Sequence, residues 1–395
     1  MRIRSWLASL LVVTLVISIA GVAWANDSVP NTVTTAPPAL QVQTPSALLM
    51  DAGTGTILFT KNEHDKRPIA SMTKIMTMLL AMEAVDQGRV KLSDKVTTSR
   101  NASGMGGSTI FLETGETLPL EEMMTGIAVN SANDAAVAVA EFIAGSEEAF
   151  VELMNIRAKE LGMTDTTFKN PHGLHEDGHI SSAYDVAIMS RELLRHPKIH
   201  EWMTIWTGKT RNYNLENTNR LIHDYPGADG LKTGFVEESL HCVSATAKRN
   251  DLRLVAVLIA APTSAVRWNE ATKMLDWGFA NYGALPIVER SQVVQRVKVE
   301  KGIRQDLDLL AEDSLSLLFG KGKEPKTSIR YEMYPRISAP IKQGQHLGEM
   351  VVIDENKIEL ARVSLLASQS VDRIGILGMM ARCWQTLFYF KTKVR

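Results

Sequence analysis

Two short apolar runs near the start of the chain predict a β-hairpin. Residues Ala47 to Asp51 and Gly55 to Thr60 are apolar, and Gly53-Thr54-Gly55 between them is a turn sequence. A Pro- and Thr-rich stretch without any period precedes the hairpin, and we predict a flexible linker over 26–44. From about Ser71 to about Trp206 the pattern is mainly helical.

Two further strands and a helix follow this region. Leu240 to Lys248 and Arg253 to Ala261 are apolar and rich in β-forming residues, and Arg249-Asn250-Asp251 forms a polar turn between them. Apolar positions at helical spacing predict a last helix from about Ala265 to about Tyr282. Strands at both ends of a helical region predict an α/β (α+β) domain over 45–286, with one antiparallel sheet flanked by helices. Periodicity leaves the strand order open.

The next part of the chain has the pattern of a smaller all-β domain. Val293 to Val299, Ser328 to Met333 and Gly348 to Ile353 have strand patterns separated by polar turns. Helical pattern is confined to one short turn near Asp313 to Leu318. We therefore predict a β-rich C-terminal domain over 287–367.

The last segment, 368–395, has the pattern of an amphipathic helix. Such a helix suits a membrane surface, because its apolar face can bury while its basic residues meet anionic headgroups. A helix packed on the β-rich domain is the alternative, and a spanning helix is disfavoured because Arg382 interrupts a short apolar run. The apolar face holds Leu377, Met380, Trp384, Leu387 and Phe388, and the chain closes on the basic residues Lys391, Lys393 and Arg395.

The N-terminus has the pattern of a cleavable export signal. Arg2 and Arg4 precede the apolar stretch Leu7 to Ala20, and Ala23-Trp24-Ala25 has the small-x-small form of a cleavage site. We predict a signal peptide over 1–25, with an uncleaved membrane anchor as the alternative. Both interpretations export the bulk of the chain to the outer face of the cytoplasmic membrane, in the periplasm or cell wall space.

Composition and charge exclude several classes of partner and cofactor. Hydrophobic residues make up 45% of the chain, charged residues 22%, and the formal net charge is -1, so no nucleic-acid partner is expected. The sequence has no His-Glu-x-x-His and no Cys/His cluster at metal-binding spacing, and we expect neither metal nor cofactor. Cys242 and Cys383 are far apart in the chain, and we expect two unpaired thiols.

Ser71-Met72-Thr73-Lys74 is the first candidate for chemistry. It precedes the apolar stretch Ile75 to Met82, so Ser71 is predicted at or near a helix N-terminus. Residues three apart share a helix face, which places the Lys74 amine beside the Ser71 hydroxyl. A serine needs a nearby base, and a lysine can be that base where burial and positive neighbours lower its pKa. Alone, the pattern is also common on ordinary helix surfaces.

Ser131-Ala132-Asn133 is the second candidate element. It lies between the apolar stretch Met123 to Val129 and the Ala-rich stretch Ala135 to Ala144. Ser131 and Asn133 could form a second wall of the same site, or they could only cap the helix that follows.

Lys232-Thr233-Gly234 is the third element, at the predicted start of a strand. Lys232 would attract a carboxylate and depress the pKa of Lys74, and Thr233 offers a hydroxyl to the same carboxylate. Gly234 removes side-chain bulk where a substrate backbone must approach. An ordinary turn-to-strand junction is the alternative, but three patterns in this order are more specific than any one.

The combination of these three elements resembles the penicilloyl-serine enzymes. Within that group the chain resembles the serine D-alanyl-D-alanine carboxypeptidases, the low-molecular-weight penicillin-binding proteins of peptidase family S11. The resemblance covers about Ala47 to Tyr282 and includes His172-Gly173-Leu174. It implies a β-lactamase/transpeptidase-like domain, and the β-rich second domain and amphipathic tail fit the same family.

The resemblance also implies an activity and its chemical groups. The expected reaction removes the terminal D-alanine from peptidoglycan pentapeptide stems through an acyl-enzyme, and β-lactams are expected to be covalent inhibitors. Ser71 would form the acyl-enzyme, Lys74 would accept its proton, and Ser131 would relay a proton.

Substrate-binding roles follow from the same resemblance. Asn133 would hold the substrate amide, and Lys232 and Thr233 would bind the terminal carboxylate beside Gly234. The backbone N–H groups of the nucleophile and of Phe235 would form the oxyanion hole.

The chain departs from the family pattern at the rim of the cleft. Relatives often carry Thr at the position of Val236, and a small residue or Gly where this chain has Ser239-Leu240. Some relatives hold the carboxylate with an arginine near the start of the last helix, and Arg267 is the matching residue here.

Other functions share parts of this pattern. A class A β-lactamase has a Glu-x-x-x-Asn stretch, and Glu176 lies in the right interval, but no Asn closes the pattern. A non-catalytic β-lactam sensor would need an intracellular module, and a structural wall-binding protein would not need all three motifs. Acylation followed by turnover on a D-Ala-D-Ala peptide separates these alternatives from a carboxypeptidase.

Overall fold

The computed structural model describes residues 39–211, 213–382 and 384. The predicted signal peptide, linker residues 26–38, Cys383 and tail residues 385–395 lie outside these ranges. Within them, no helix combines the length and the apolarity that crossing a bilayer requires. Cys242 is buried and its thiol is free, as expected.

The first domain contains a five-stranded antiparallel sheet together with nine helices of the described chain. The strands of this domain, five of which form the sheet, are β1 (Ser46–Asp51), β2 (Ile57–Lys61), β3 (Lys95–Thr97), β4 (Thr117–Pro119), β5 (Thr207–Thr210), β6 (Tyr213–Glu216), β7 (Ala228–Val236), β8 (Leu240–Arg249) and β9 (Leu252–Ala261). Its helices are α1 (Lys74–Asp86), α2 (Arg100–Ser103), α3 (Leu120–Asn130), α4 (Asn133–Ala144), α5 (Glu147–Glu160), α6 (Ala183–Leu193), α7 (Ile199–Met203), α8 (Leu221–Asp224) and α9 (Ser264–Asn281).

The sheet has the order β2-β1-β9-β8-β7, with every neighbouring pair antiparallel. The predicted antiparallel sheet with flanking helices is therefore confirmed. Strand β1 lies beside β9, about two hundred residues later in the chain, and β7 forms one edge of the sheet. This order places the strand that carries Lys232 at one edge of the sheet.

Helix α1 lies in the centre of the larger apolar core. Ile75, Met76, Met78 and Leu79 are all fully buried, as is most of the Ala-rich face of α4. A helix that is apolar on nearly all sides has to be surrounded by other elements. Because α1 begins at Lys74, its burial fixes the position of that residue.

The C-terminal domain is all-β over its described residues, as predicted. Its strands are β10 (Tyr282–Val288), β11 (Val293–Lys298), β12 (Asp306–Ala311), β13 (Leu315–Gly320), β14 (Thr327–Met333), β15 (His346–Asp354) and β16 (Glu359–Ala367). They form the sheets β10-β13 and β11-β12-β16-β15-β14. The predicted helical turn near Asp313 to Leu318 is wrong, because Leu315–Gly320 pairs antiparallel with β10 and the pairing satisfies its backbone.

The β domain continues beyond the predicted boundary at 367. Val371 is 1% exposed and pairs with Ile341, and the Ile374 N–H donates to the Lys301 carbonyl. Residues 376–382 and 384 are helical. The predicted tail helix thus begins after a segment that belongs to the packing of the β domain.

Arg382 contacts the β domain, whereas the tail prediction has the basic residues of the helix meet anionic headgroups. Its guanidinium donates to the carbonyls of Gly302 at 3.0 Å and Ile303 at 3.1 Å instead of pointing away from the protein. Leu377, Met380 and Trp384 are exposed, at 83%, 55% and 60%. Arg382 therefore holds the tail helix to the β domain, while most of the surface of these three apolar side chains is exposed.

The end of the predicted linker is also fixed in place. Thr44 is fully buried, its N–H donates to the Glu270 carboxylate at 3.0 Å, and the Gln43 N–H donates to the same carboxylate. Lys61 donates to the Val42 carbonyl at 2.8 Å. The prediction of a flexible linker is wrong for residues 42–44, because long-range side chains satisfy their backbone.

Candidate active site

Ser71 lies on a short 3₁₀ turn, Ala70–Thr73, that leads directly into α1. We call these four residues the Ser71 turn. The Lys74 Nζ lies 3.1 Å from the Ser71 Oγ, and Lys74 is fully buried. Residues three apart share one face of a helical turn, so the junction of this turn with α1 brings the two groups together.

Lys74 is held by two further oxygen atoms. Its Nζ donates at 2.6 Å to the Asn133 Oδ1 and at 2.6 Å to the His172 carbonyl. Burial, followed by the positive charge of Lys232, lowers the pKa of Lys74 well below its usual value, while Asp134 opposes the shift. A neutral amine has two protons and one lone pair. The two oxygens can take both protons, which leaves the lone pair for the Ser71 hydroxyl.

Ser131 and Asn133 form the junction between α3 and α4. Ser131 ends α3 with a left-handed φ of 62°, and Asn133 is the first residue of α4. The Ser131 Oγ is buried and has no hydrogen-bond partner among the described residues. The Asn133 amide contacts Lys74 through its oxygen and donates from Nδ2 to the Gly106 carbonyl at 2.7 Å. The structure thus brings this junction to the Ser71–Lys74 pair.

Strand β7 lies directly against the Ser71 turn. A Cβ on Gly234 would lie 2.7 Å from the Ile69 carbonyl oxygen and 3.3 Å from the Ser71 nitrogen. The first of these distances is too short for any side chain, so the strand can approach this closely only with glycine. Thr233 donates to the Thr218 Oγ1 at 2.8 Å, and Phe235 packs against His241 with ring centroids 4.9 Å apart.

Two basic side chains, Lys232 on this strand and the nearby Arg267, are buried at the site. Lys232 is fully buried, and burial and then the charge of Arg267 lower its pKa to about 7. Burial lowers the pKa of Arg267 to about 10. In the described part of the chain, no carboxylate lies within ion-pair distance of either group. Unpaired buried cations attract an anion, because binding one returns the charge compensation that burial removed.

Several groups of the site escaped sequence reasoning. The His172 carbonyl is a backbone atom, and nothing in the residue type marks it as a lysine ligand. Gly173 has a φ of +83°, and a Cβ there would lie 2.0 Å from the Ala70 carbonyl oxygen, so only glycine fits. The one available signal was the resemblance of His172-Gly173-Leu174 to the family, which gave no role.

Family comparisons match both parts of the chain. The family model described as D-alanyl-D-alanine carboxypeptidase matches residues 31–263. The family model described as Penicillin-binding protein 5, C-terminal domain, matches residues 282–373. The second match ends close to where the packing of the β domain ends.

Individual relatives align over most of the chain. D-alanyl-D-alanine carboxypeptidase DacF of Bacillus subtilis (strain 168) is 46% identical over 348 residues, which cover 85% of this chain and 88% of that protein. DacD of Escherichia coli (strain K12) is 34% identical, covering 84% of this chain and 87% of that protein.

Solved structures share the fold over most or part of the chain. Penicillin binding protein 5 from Haemophilus influenzae aligns with a TM-score of 0.66 and 30% identity, covering 85% of this chain and 99% of that one. The ampicillin-bound form of Penicillin-Binding Protein D2 from Listeria monocytogenes aligns with a TM-score of 0.56 and 31% identity, covering 61% of this chain and 99% of that one.

Proposed function

The chain belongs to the D-alanyl-D-alanine carboxypeptidase family, peptidase S11, and from this premise we propose that it cleaves peptidoglycan stem peptides through an acyl-enzyme on Ser71. The Ser71 oxygen bonds to the carbonyl carbon between the two D-alanines, and the C–N bond to the terminal D-alanine breaks. Water then hydrolyses the ester and regenerates the hydroxyl. The 3.1 Å contact between the Ser71 Oγ and the buried Lys74 Nζ carries this proposal.

In the proposed mechanism Lys74 is the general base. Because the pKa of Lys74 is lowered, a larger fraction of its amine is neutral than in an exposed lysine, and the neutral amine can accept the hydroxyl proton. Ser131, whose buried Oγ is unpartnered among the described residues, would pass a proton to the leaving amine. Asn133 keeps one amide N–H beyond its bond to Gly106, and that N–H would hold the substrate amide.

Strand β7 would hold the rest of the substrate. The backbone N–H groups of Ser71 and Phe235 would stabilise the oxyanion, because β7 lies against the Ser71 turn at Gly234. Lys232, Thr233 and the nearby Arg267 would bind the terminal carboxylate. A β-lactam also carries a carboxylate beside a reactive amide, so we propose that β-lactams acylate Ser71.

The alternatives have less support. A class A β-lactamase activates its water with a glutamate, but Glu176 is exposed and its carboxylate accepts from the Asn170 amide at 3.2 Å. A carboxypeptidase releases D-alanine steadily from diacyl-Lys-D-Ala-D-Ala, and that assay on the purified protein tests the proposal directly. Penicillin labelling without release of D-alanine would instead favour a sensor.

Lys232→Gln is expected to slow acylation by both peptide and penicillin by about 10- to 100-fold, because a charged hydrogen bond to the carboxylate is lost. It should also change the pH profile. Lys232 must be protonated to bind a carboxylate, so kcat/KM of the unmodified protein should fall as pH rises above about 7. The variant loses that contribution, and its acid limb moves to higher pH because the charge that depresses the pKa of Lys74 is gone.

Acylation rates from pH 5 to 10 check this prediction. Lys91→Gln on the exposed surface is the control and should leave the profile unchanged. A Lys232→Gln variant impaired only toward penicillin would contradict the proposal and would place the peptide carboxylate elsewhere, with Arg267 as the first candidate.

The family's action on the cell wall implies a site of action outside the cytoplasm. We propose that the tail helix binds the outer face of the cytoplasmic membrane, since Leu377, Met380 and Trp384 are exposed on it. Holding the enzyme near a membrane-bound substrate raises its effective concentration.

A chain ending at Gly375 is expected to release D-alanine normally and to lose sedimentation with anionic liposomes. This end point keeps Val371, which is buried in the β domain. The full mature chain, tested beside it, should sediment. Equal sedimentation of both chains would rule out the tail as the anchor and would direct attention to the N-terminal segment.

A further inference from the structure

A buried histidine ends a hydrogen-bond relay behind the Ser71 turn. His179 is 3% exposed, and its Nε2 lies 2.7 Å from the Thr73 Oγ1. The Thr73 hydroxyl donates to the Ala70 carbonyl at 2.8 Å. The Lys169 backbone N–H donates to the His179 Nδ1 at 3.2 Å.

These contacts fix the direction of every hydrogen bond. Because the His179 Nδ1 accepts from a backbone N–H, the ring proton is on Nε2 and is donated to Thr73. The Thr73 hydroxyl then has its own proton free for the Ala70 carbonyl. Burial, followed by the nearby positive groups, lowers the pKa of His179 to about 4, so the neutral ring that the relay requires is the form present at neutral pH.

The relay holds a strained part of the chain. Ala70 has a φ of +49°, in the left-handed region that residues with a Cβ avoid, and it directly precedes Ser71. Its carbonyl also lies against Gly173, where any side chain would clash. A conformation of this kind persists only where the surroundings impose it. The Thr73 hydroxyl and Gly173 provide that constraint from two sides.

We propose that His179 is a positioning residue for the chemistry of Ser71. Acting through Thr73 and the Ala70 carbonyl, it holds the Ser71 turn so that the Ser71 Oγ faces the Lys74 Nζ and the turn lies against Gly234. This inference rests on the proposed acyl-enzyme function. It differs from a purely structural role, in which loss of the histidine would lower stability without changing the reaction of the folded protein.

The test compares acylation by penicillin in three variants. His179→Leu fills the space without a donor, His179→Gln retains an amide N–H near the position of Nε2, and Thr73→Val removes the hydroxyl. We expect the acylation rate constant of His179→Leu to fall about 10- to 100-fold with little change in the penicillin dissociation constant, since small misplacements of reacting groups have effects of this size. His179→Gln should recover most of the rate.

The coupling between Thr73 and His179 provides a second readout. Thr73→Val should slow acylation as much as His179→Leu does, and the double variant should be no slower than either, because one relay is broken in all three. His196 provides the matched control, since it is 8% exposed and its Nδ1 is 2.7 Å from the Asp86 carboxylate. His196→Leu and His196→Gln should change the melting temperature without changing the acylation rate of the folded protein.

Each failure has its own signature. If penicillin does not label the unmodified protein, the proposed function itself is contradicted. If the unmodified protein is labelled and folded His179→Leu has an unchanged rate constant, only the relay is overturned. The relay is also overturned if His179→Gln does not recover the rate. If His179→Leu does not fold, Thr73→Val decides, and normal acylation by that variant overturns the proposal.

Discussion

Ser71→Ala is expected to abolish both the release of D-alanine and covalent labelling by penicillin, a loss of at least roughly 1,000-fold in each. The proposed reaction has no acyl-enzyme without the Ser71 oxygen. The fold should be unaffected, because Ser71 is only half-buried and its hydroxyl contacts the Lys74 amine. Mass spectrometry of the penicillin-treated protein and a D-alanine assay measure the two losses separately.

Ser328→Ala provides the control for this experiment. Ser328 is exposed on β14 of the C-terminal domain, and its removal should leave labelling and turnover as they are. Persistent labelling of Ser71→Ala by penicillin would assign the nucleophile to another residue. If labelling is lost but D-alanine release is retained, β-lactam binding and the peptidase reaction do not share one site, which contradicts the common site that we propose.

Lys74→Arg is expected to slow acylation by about 100- to 10,000-fold while the binding of substrate largely survives, because arginine stays protonated and cannot act as a base. Lys74 is fully buried, and the larger guanidinium also disturbs its contacts with Asn133 and the His172 carbonyl. Lys74→Met, which is close in volume and has no base, should therefore show a similar loss.

Rapid-mixing measurement of penicillin acylation, with binding and acylation resolved as separate steps, checks this prediction. Lys159→Arg on the exposed face of α5 is the matched substitution and should react normally. A near-normal acylation rate in both Lys74 variants would exclude lysine as the base. Ser131 acting through water would then be the next candidate.

The buried positive charges of the site have a cost in stability. Lys74, Lys232 and Arg267 are all removed from water, and burial is the first cause of the lowered pKa of each. A lysine with a lowered pKa weakens folding at pH values where the unfolded chain would keep its proton. The proposed function accounts for this cost, since a neutral Lys74 would accept a proton while charged Lys232 and Arg267 would meet the substrate carboxylate.

Part of the site could be predicted from sequence because its geometry is local. Ser71 and Lys74 are three residues apart, and any helical turn brings them together. Ser131 and Asn133 are joined by one residue, and Lys232, Thr233 and Gly234 are consecutive. The order of these three groups along the chain also identified the family before any contact between them was known.

The relation between the groups depended on long-range packing. No periodicity indicates that β1 pairs with β9, or that β7 forms the edge beside the Ser71 turn. The strand Leu315–Gly320 took its conformation from pairing with β10, against its local pattern. A segment of that length has no conformation of its own, because the partner strand supplies the hydrogen bonds that decide it.

By itself, then, the sequence determined the fold class, the chemical types at the site and the local Ser71–Lys74 pair. Tertiary structure alone decided what surrounds them: the His172 carbonyl on Lys74, the Arg267 charge beside Lys232, and the His179 contact behind the Ser71 turn. The physical reason is that burial, backbone hydrogen bonding and charge proximity are properties of residues distant in the chain. A residue type shows which group is present, but only packing shows what that group faces.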